Sequence, residues 1–185
     1  MALGYPNGVV KEDLPIEGQI IRVADEYDAI VSKRQYKTHI DISDTLKIIA
    51  EKTIPAYKTG RTNAKNPKYS QVNPQIMHAL LEVVEDDVNY EISCVEGYIK
   101  HIEEQIKRLN KLAEYIEGYN NATKARDKND FKELIEYILQ PGETIENYSK
   151  IIEEYKKAYE VRKAHIDKLK TEIKKIRQIK VDDWI

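Results

Sequence analysis

The sequence predicts an all-α protein in two parts, on three observations. Glycine and proline are scarce, seven and six in 185 residues, and most of them lie before residue 75. Apolar residues recur at three- and four-residue spacings, and no stretch alternates as a strand does. Beyond residue 92 the chain is dominated by Glu, Lys, Ile, Leu and Tyr, the composition of long helices.

The elements follow in order. Ile16 to Ser32 carries Ile16, Ile20, Ile21, Val23, Ala24, Tyr27, Ala29, Ile30 and Val31, an apolar face wide enough for a buried helix. Ser43 is read as an N-cap, with Asp44 in the first turn and Leu46, Ile48 and Ile49 behind it. Residues 53–73 contain Pro55, Gly60 and Pro67 and read as a loop. Pro74 stands where a first-turn proline is welcome, ahead of Ile76, Met77, Leu80, Leu81, Val83 and Val84.

The second part shows heptads. Ile92, Val95, Ile99, Ile102, Ile106, Leu109, Ala113 and Ile116 alternate steps of three and four. Ile145, Tyr148, Ile152, Tyr155, Tyr159, Arg162, Ile166, Leu169, Ile173 and Ile176 do the same. A polar stretch, Tyr119 to Asn129, separates the two stripes. A short helix then begins at Asp130, with a capping-box-like spacing to Glu133, and ends at Gln140-Pro141-Gly142. The last helix is expected from Glu143 to Lys180, about 57 Å at 1.5 Å per residue. A stripe of that length needs a partner. Two stripes in one chain predict a long antiparallel helical hairpin (coiled coil), with a homodimer or partner helix through residues 145–176 as the alternative. The domain reading is therefore 1–92, with 11 basic and 14 acidic residues, and 93–185, with 19 and 18.

Composition narrows the function classes. Basic residues number 30 and acidic ones 32, so a net charge of -2 gives no global attraction to nucleic acid. No run approaches the apolar length of a membrane span, and residues 1–8 have neither the basic region nor the apolar run of a secretory leader. The single cysteine, Cys94, excludes an internal disulfide and a multi-cysteine zinc site, and on the heptad pattern it falls beside the stripe, partly buried. A cytoplasmic protein is expected. The basic loop Lys52, Lys58, Arg61, Lys65 and Lys68, and the segment Lys156 to Lys180 with ten basic and three acidic residues, read as solvated surface.

Chemistry concentrates in residues 1–40. Gly4-Tyr5-Pro6 is followed by Ala24-Asp25-Glu26-Tyr27-Asp28-Ala29 and then by Ser32-Lys33-Arg34-Gln35-Tyr36-Lys37. Asp25 stands among Ile20, Ile21, Val23 and Ala24, and a carboxylate on a buried apolar face needs a partner. A metal, an internal salt bridge to a base such as Arg22, or an anionic ligand shared with Arg34 and Lys37 would each satisfy these charges.

In this order and spacing the run resembles the C-terminal part of an HD-GYP domain, the cyclic di-GMP phosphodiesterase branch of the HD superfamily of metal-dependent phosphohydrolases. The likeness fades through residues 41–51 and 73–85. It implies a bacterial signalling hydrolase that uses a divalent metal, iron or manganese. It further implies that Asp25 matches an acidic metal ligand, that Arg34 and Lys37 match the residues holding the dinucleotide phosphates, and that Tyr5 lies at the substrate pocket. The partner so implied is cyclic di-GMP or a related dinucleotide.

The departures are as specific. The four histidines, His39, His78, His101 and His165, form neither the His-Asp pair nor the His-His-Glu run of that family. Gly18-Gln19 stand where it has Ala-Arg. The expectation is a truncated HD-type helical domain, a remnant without catalytic residues of its own, that binds no metal stably and is inactive alone. A non-catalytic coiled-coil interaction protein and one half of a split phosphohydrolase are the alternatives.

Overall fold

The computed structural model describes residues 15–32, 41–54, 58 and 71–181. These contain five α-helices and no strand: α1 Ile16–Ser32, α2 Ile42–Ala50, α3 Pro74–Asn121, α4 Ala125–Ile138 and α5 Tyr148–Ile176, with a 3₁₀ turn at Glu51–Thr53 after α2. The all-α class expected from composition and periodicity is what forms. Two compact units result, one of residues 1–90 with 169–185, the other of residues 91–168.

In the first unit α1 packs on α2. Helix α1 starts after Pro15, whose carbonyl accepts the Gln19 amide at 3.2 Å. It buries less than its composition promised: Val23 is buried, whereas Ile16, Ile20 and Ile21 are 47, 49 and 60% exposed. Helix α2 is short but buries Leu46, Ile49 and Ala50, and Val72, Ile76, Met77, Val84 and Val88 are buried in the same unit. Its N-cap is Asp41, in extended backbone, and not Ser43. The Asp41 carbonyl accepts the amides of Asp44 and Thr45 at 3.0 and 3.1 Å, which puts Ser43 inside the first turn and fully buried. Asn73 opens α3 by accepting the Gln75 amide on its side chain at 3.0 Å, and Pro74 follows where no amide is needed. The final turns of α5 return to this unit with Leu169, Ile173 and Ile176 buried.

The second unit is a helical hairpin. Glu91 meets His165 at 2.8 Å, the Arg162 guanidinium lies 4.4 Å from the Tyr98 ring centre, and Leu109 shares a core with Ile152. Partner numbers fall along α5 as they rise along α3, so the helices run antiparallel. Leu109, Leu112, Ile135 and Ile152 form the buried centre, ringed by Tyr115, Ile116, Ile138, Leu139, Tyr148, Ile151 and Tyr155. The stripe that would have served a homodimer through residues 145–176 is thus largely covered within the chain. Ile145 precedes the helix and stays 45% exposed.

Four sequence expectations need correction here. Helix α4 begins at Ala125, so the polar run before Asp130 is helical except at residues 122–124, and Asp130–Glu133 lies inside the helix. Ala125, Arg126 and Lys128 are adequate helix formers, and propensity outweighs polarity there. Helix α5 begins at Tyr148, since Thr144 and Asn147 cap it reciprocally, the Thr144 amide to Asn147 Oδ1 at 2.8 Å and the Asn147 amide to Thr144 Oγ1 at 3.2 Å. It stops at Ile176, short of Lys180. Cys94 is exposed rather than partly buried.

Candidate functional site

Asp25 lies midway along α1, two residues from buried Val23 and therefore on the opposite side of the helix. It is exposed. The expectation of a carboxylate on a buried apolar face is corrected: α1 buries a narrow stripe, and Asp25 falls outside it. Ile21 and Asp28, four residues before and three after, share its face. Among the described residues Asp25 has no ion-pair partner, Arg22 included. Among the described residues no three of His, Cys, Asp and Glu converge as a metal would require. These residues alone do not fit the metal that the resemblance implies. Arg34, Lys37 and Tyr5 lie outside the described residues.

Beside Asp25, Glu26 turns to the other side of α1 and forms an ion pair with Lys52 of the 3₁₀ turn. The carbonyl of Lys52 in turn accepts the amides of Gln71 and Val72 at 2.9 and 3.1 Å. Sequence reading singled out Asp25 and missed Glu26, although adjacent residues on a helix point about 100° apart and only one of two neighbouring acids can share a face with Asp28.

Two further charge clusters went unread in the sequence. At the start of α2, Glu172 Oε2 accepts the Ser43 amide at 3.0 Å, and Lys175 Nζ bridges Glu172 Oε1 at 2.8 Å and Asp41 Oδ2 at 3.3 Å. Burial pushes the Glu172 carboxyl up, but Lys175 and Ser43 outweigh it and hold the group below the usual carboxylate range. The signal was present, since Glu172 stands three residues after Leu169 and four before Ile176, on the apolar stripe itself. In the hairpin, Arg108 joins Glu143, with Nη1 donating to Oε2 at 2.7 Å and to the Ile138 carbonyl at 2.9 Å.

The hairpin also carries an open groove of about 560 Å³, lined among others by Ile106, Asn110 and Tyr159. Its three lysines, Lys107, Lys111 and Lys156, are matched by Glu103, Glu114 and Glu160. Such balance gives no net pull on phosphate. No described helix is long and apolar enough to cross a membrane.

Comparison with known proteins places the likeness where the motif lies. Residues 2–55 match the family model described as HD domain. Over 46 residues, 25% of this chain, the sequence is 41% identical to a cyclic di-GMP phosphodiesterase of Thermotoga maritima, of which 12% is covered. Over 34 residues, 18% of this chain, it is 53% identical to the cyclic di-GMP phosphodiesterase response regulator RpfG of Xanthomonas campestris pv. campestris, of which 9% is covered. The matched segment thus spans about a tenth of the length of these curated relatives. No solved structure matches. The resemblance to the HD family is borne out over the segment that contains α1, α2 and the 3₁₀ turn.

Proposed function

We propose that residues 2–55 are the closing part of an HD-type phosphohydrolase site acting on a cyclic dinucleotide, and that this chain by itself does not hydrolyse one. In this reading Asp25 is one ligand of a divalent metal, iron or manganese. Arg34 and Lys37 hold phosphate oxygens through charge-assisted hydrogen bonds, and Tyr5 borders the pocket. The observation that supports it most is the position of the family match, residues 2–55, over Gly4-Tyr5-Pro6, Asp25, Arg34 and Lys37 together. The exposure of Asp25 is consistent with this, because a ligand that completes a site with residues from elsewhere must stay reachable.

Hydrolysis of a phosphodiester by this route needs a metal held by several ligands. The 185 residues contain neither a His-Asp pair nor a His-His-Glu run. The chain therefore contributes one acid and two cations to a site whose remaining ligands come from other residues, such as those of a separately encoded half. The test is direct: purified protein with manganese or iron and cyclic di-GMP is expected to give no linear dinucleotide and no GMP above a metal-only control. Metal-dependent turnover that Asp25→Asn abolishes would overturn the claim of inactivity.

A second reading, a non-catalytic interaction protein, is favoured by Ile16, Ile20 and Ile21, which expose roughly half or more of their surface on one short helix. Sedimentation separates the two. Self-association that disappears in Ile20→Ser/Ile21→Ser supports the interaction reading, and a monomer at all concentrations counts against it.

A further inference from the structure

Among the described residues, Glu172 is the one charged side chain that is fully buried, at 3% exposure. A buried carboxylate persists only where its charge and lone pairs are met. Here they are met across a separation of 129 residues, by the Ser43 amide in the first turn of α2. That amide belongs to the set every helix leaves unpaired at its start, usually satisfied by the side chain of the local N-cap. Asp41 holds the N-cap position but makes no such bond. Its carboxylate goes instead to Lys175, which also neutralises Glu172. The cap of α2 is therefore supplied from α5, and the residue that would have done it locally is tied to the same helix. Arg177, the residue after α5, adds a separate attachment to α3 through Glu85 at 2.6 Å.

We propose that Glu172, Lys175 and Asp41 form a strap that fastens the first turn of α2, inside the family-matching segment, to the last turns of α5, and that releasing it opens this turn while the hairpin stays folded. Among the described residues, Ser43 from α2 and Lys175 from α5 meet Glu172, and Asp41, the N-cap of α2, meets Lys175. Whatever turns α5 or removes the Glu172 charge acts on α2 through them. The depressed carboxyl agrees with the geometry: the fastening is complete above the ordinary carboxylate range and is lost as the pH falls through the lowered value.

Amide hydrogen exchange on the full chain tests this. In Glu172→Gln, protection factors at residues 43–46 are expected to fall about tenfold or more, the scale for losing a hydrogen bond to a charged group, with residues 109–112 unchanged. Unchanged protection at 43–46, or an equal fall at 109–112, would overturn the strap. Lys175→Met supplies a second reading because it keeps the carboxylate and removes its neutralising partner. The pH at which 43–46 lose protection should then rise, and a pH that stays put overturns the proposal equally.

Discussion

Arg108 and Glu143, 35 residues apart, close the connection between α4 and α5 with a two-pronged ion pair. The same guanidinium donates to the Ile138 carbonyl, the last of α4, and the same carboxylate accepts the Gln140 amide at 2.9 Å. One pair thus satisfies a helix end and a turn at once. The hydrogen bond to Arg108, with help from the Gln140 amide, holds the Glu143 carboxyl below its ordinary range against the opposing effect of burial. Both side chains are mostly buried, 18 and 9% exposed.

Glu143→Gln is accordingly expected to cost about 1.5–3 kcal/mol, the range for a hydrogen bond to a charged group. The contribution is fully present above the ordinary carboxylate range and vanishes as the pH falls through the depressed value. Urea unfolding of wild type and variant should therefore differ at neutral pH and converge in strong acid.

Core and surface of the hairpin should separate sharply. Leu109→Ala or Leu112→Ala removes a fully buried side chain and is expected to cost about 2–5 kcal/mol. Tyr137→Ala, at a residue 88% exposed, should stay within about 0.5 kcal/mol. Equal losses by chemical denaturation would show that this core is wrongly placed.

At Gly118 the Phe131 ring approaches so closely that an added Cβ would lie 2.5 Å from it. Gly118→Ala gains about 1 kcal/mol of helix propensity but must push the ring aside. Phe131 is the one phenylalanine of the chain, so its ring resonances can be followed without ambiguity. They should move in Gly118→Ala, and unmoved resonances would contradict the contact.

Asp25 is exposed, so Asp25→Asn should change stability by no more than about 0.5 kcal/mol. A loss above 1 kcal/mol in thermal or urea unfolding would make the acid structural and weaken its reading as a ligand.

Much of this architecture was legible in the sequence, for identifiable reasons. Proline at position 74 and the Gln140-Pro141-Gly142 break marked helix limits because proline lacks an amide and Gly142, at φ 88°, takes a backbone that side chains disfavour. Heptads announced the antiparallel stripes because period is a local property. The cap of α2 was missed because it is not local: Ser43 looked like an N-cap, yet its amide is served by Glu172. Asp25 was misplaced because counting apolar neighbours along a chain does not give the angle at which each leaves the helix. The Arg108–Glu143 pair depended on the connection's path, which neither residue's surroundings reveal.

The distance in sequence between Ser43 and Glu172 bears on synthesis. At about 5–20 residues per second, a ribosome takes roughly 6–26 s to add the 129 positions between them. During that interval α2 is made but its first turn lacks its acid, and Leu169, Ile173 and Ile176, buried in the same unit, are not yet made. The hairpin has no such wait beyond its own length. Nascent chains halted before Glu172 should therefore offer chaperones and proteases the α1–α2 segment, while chains that extend past Arg177 withdraw it.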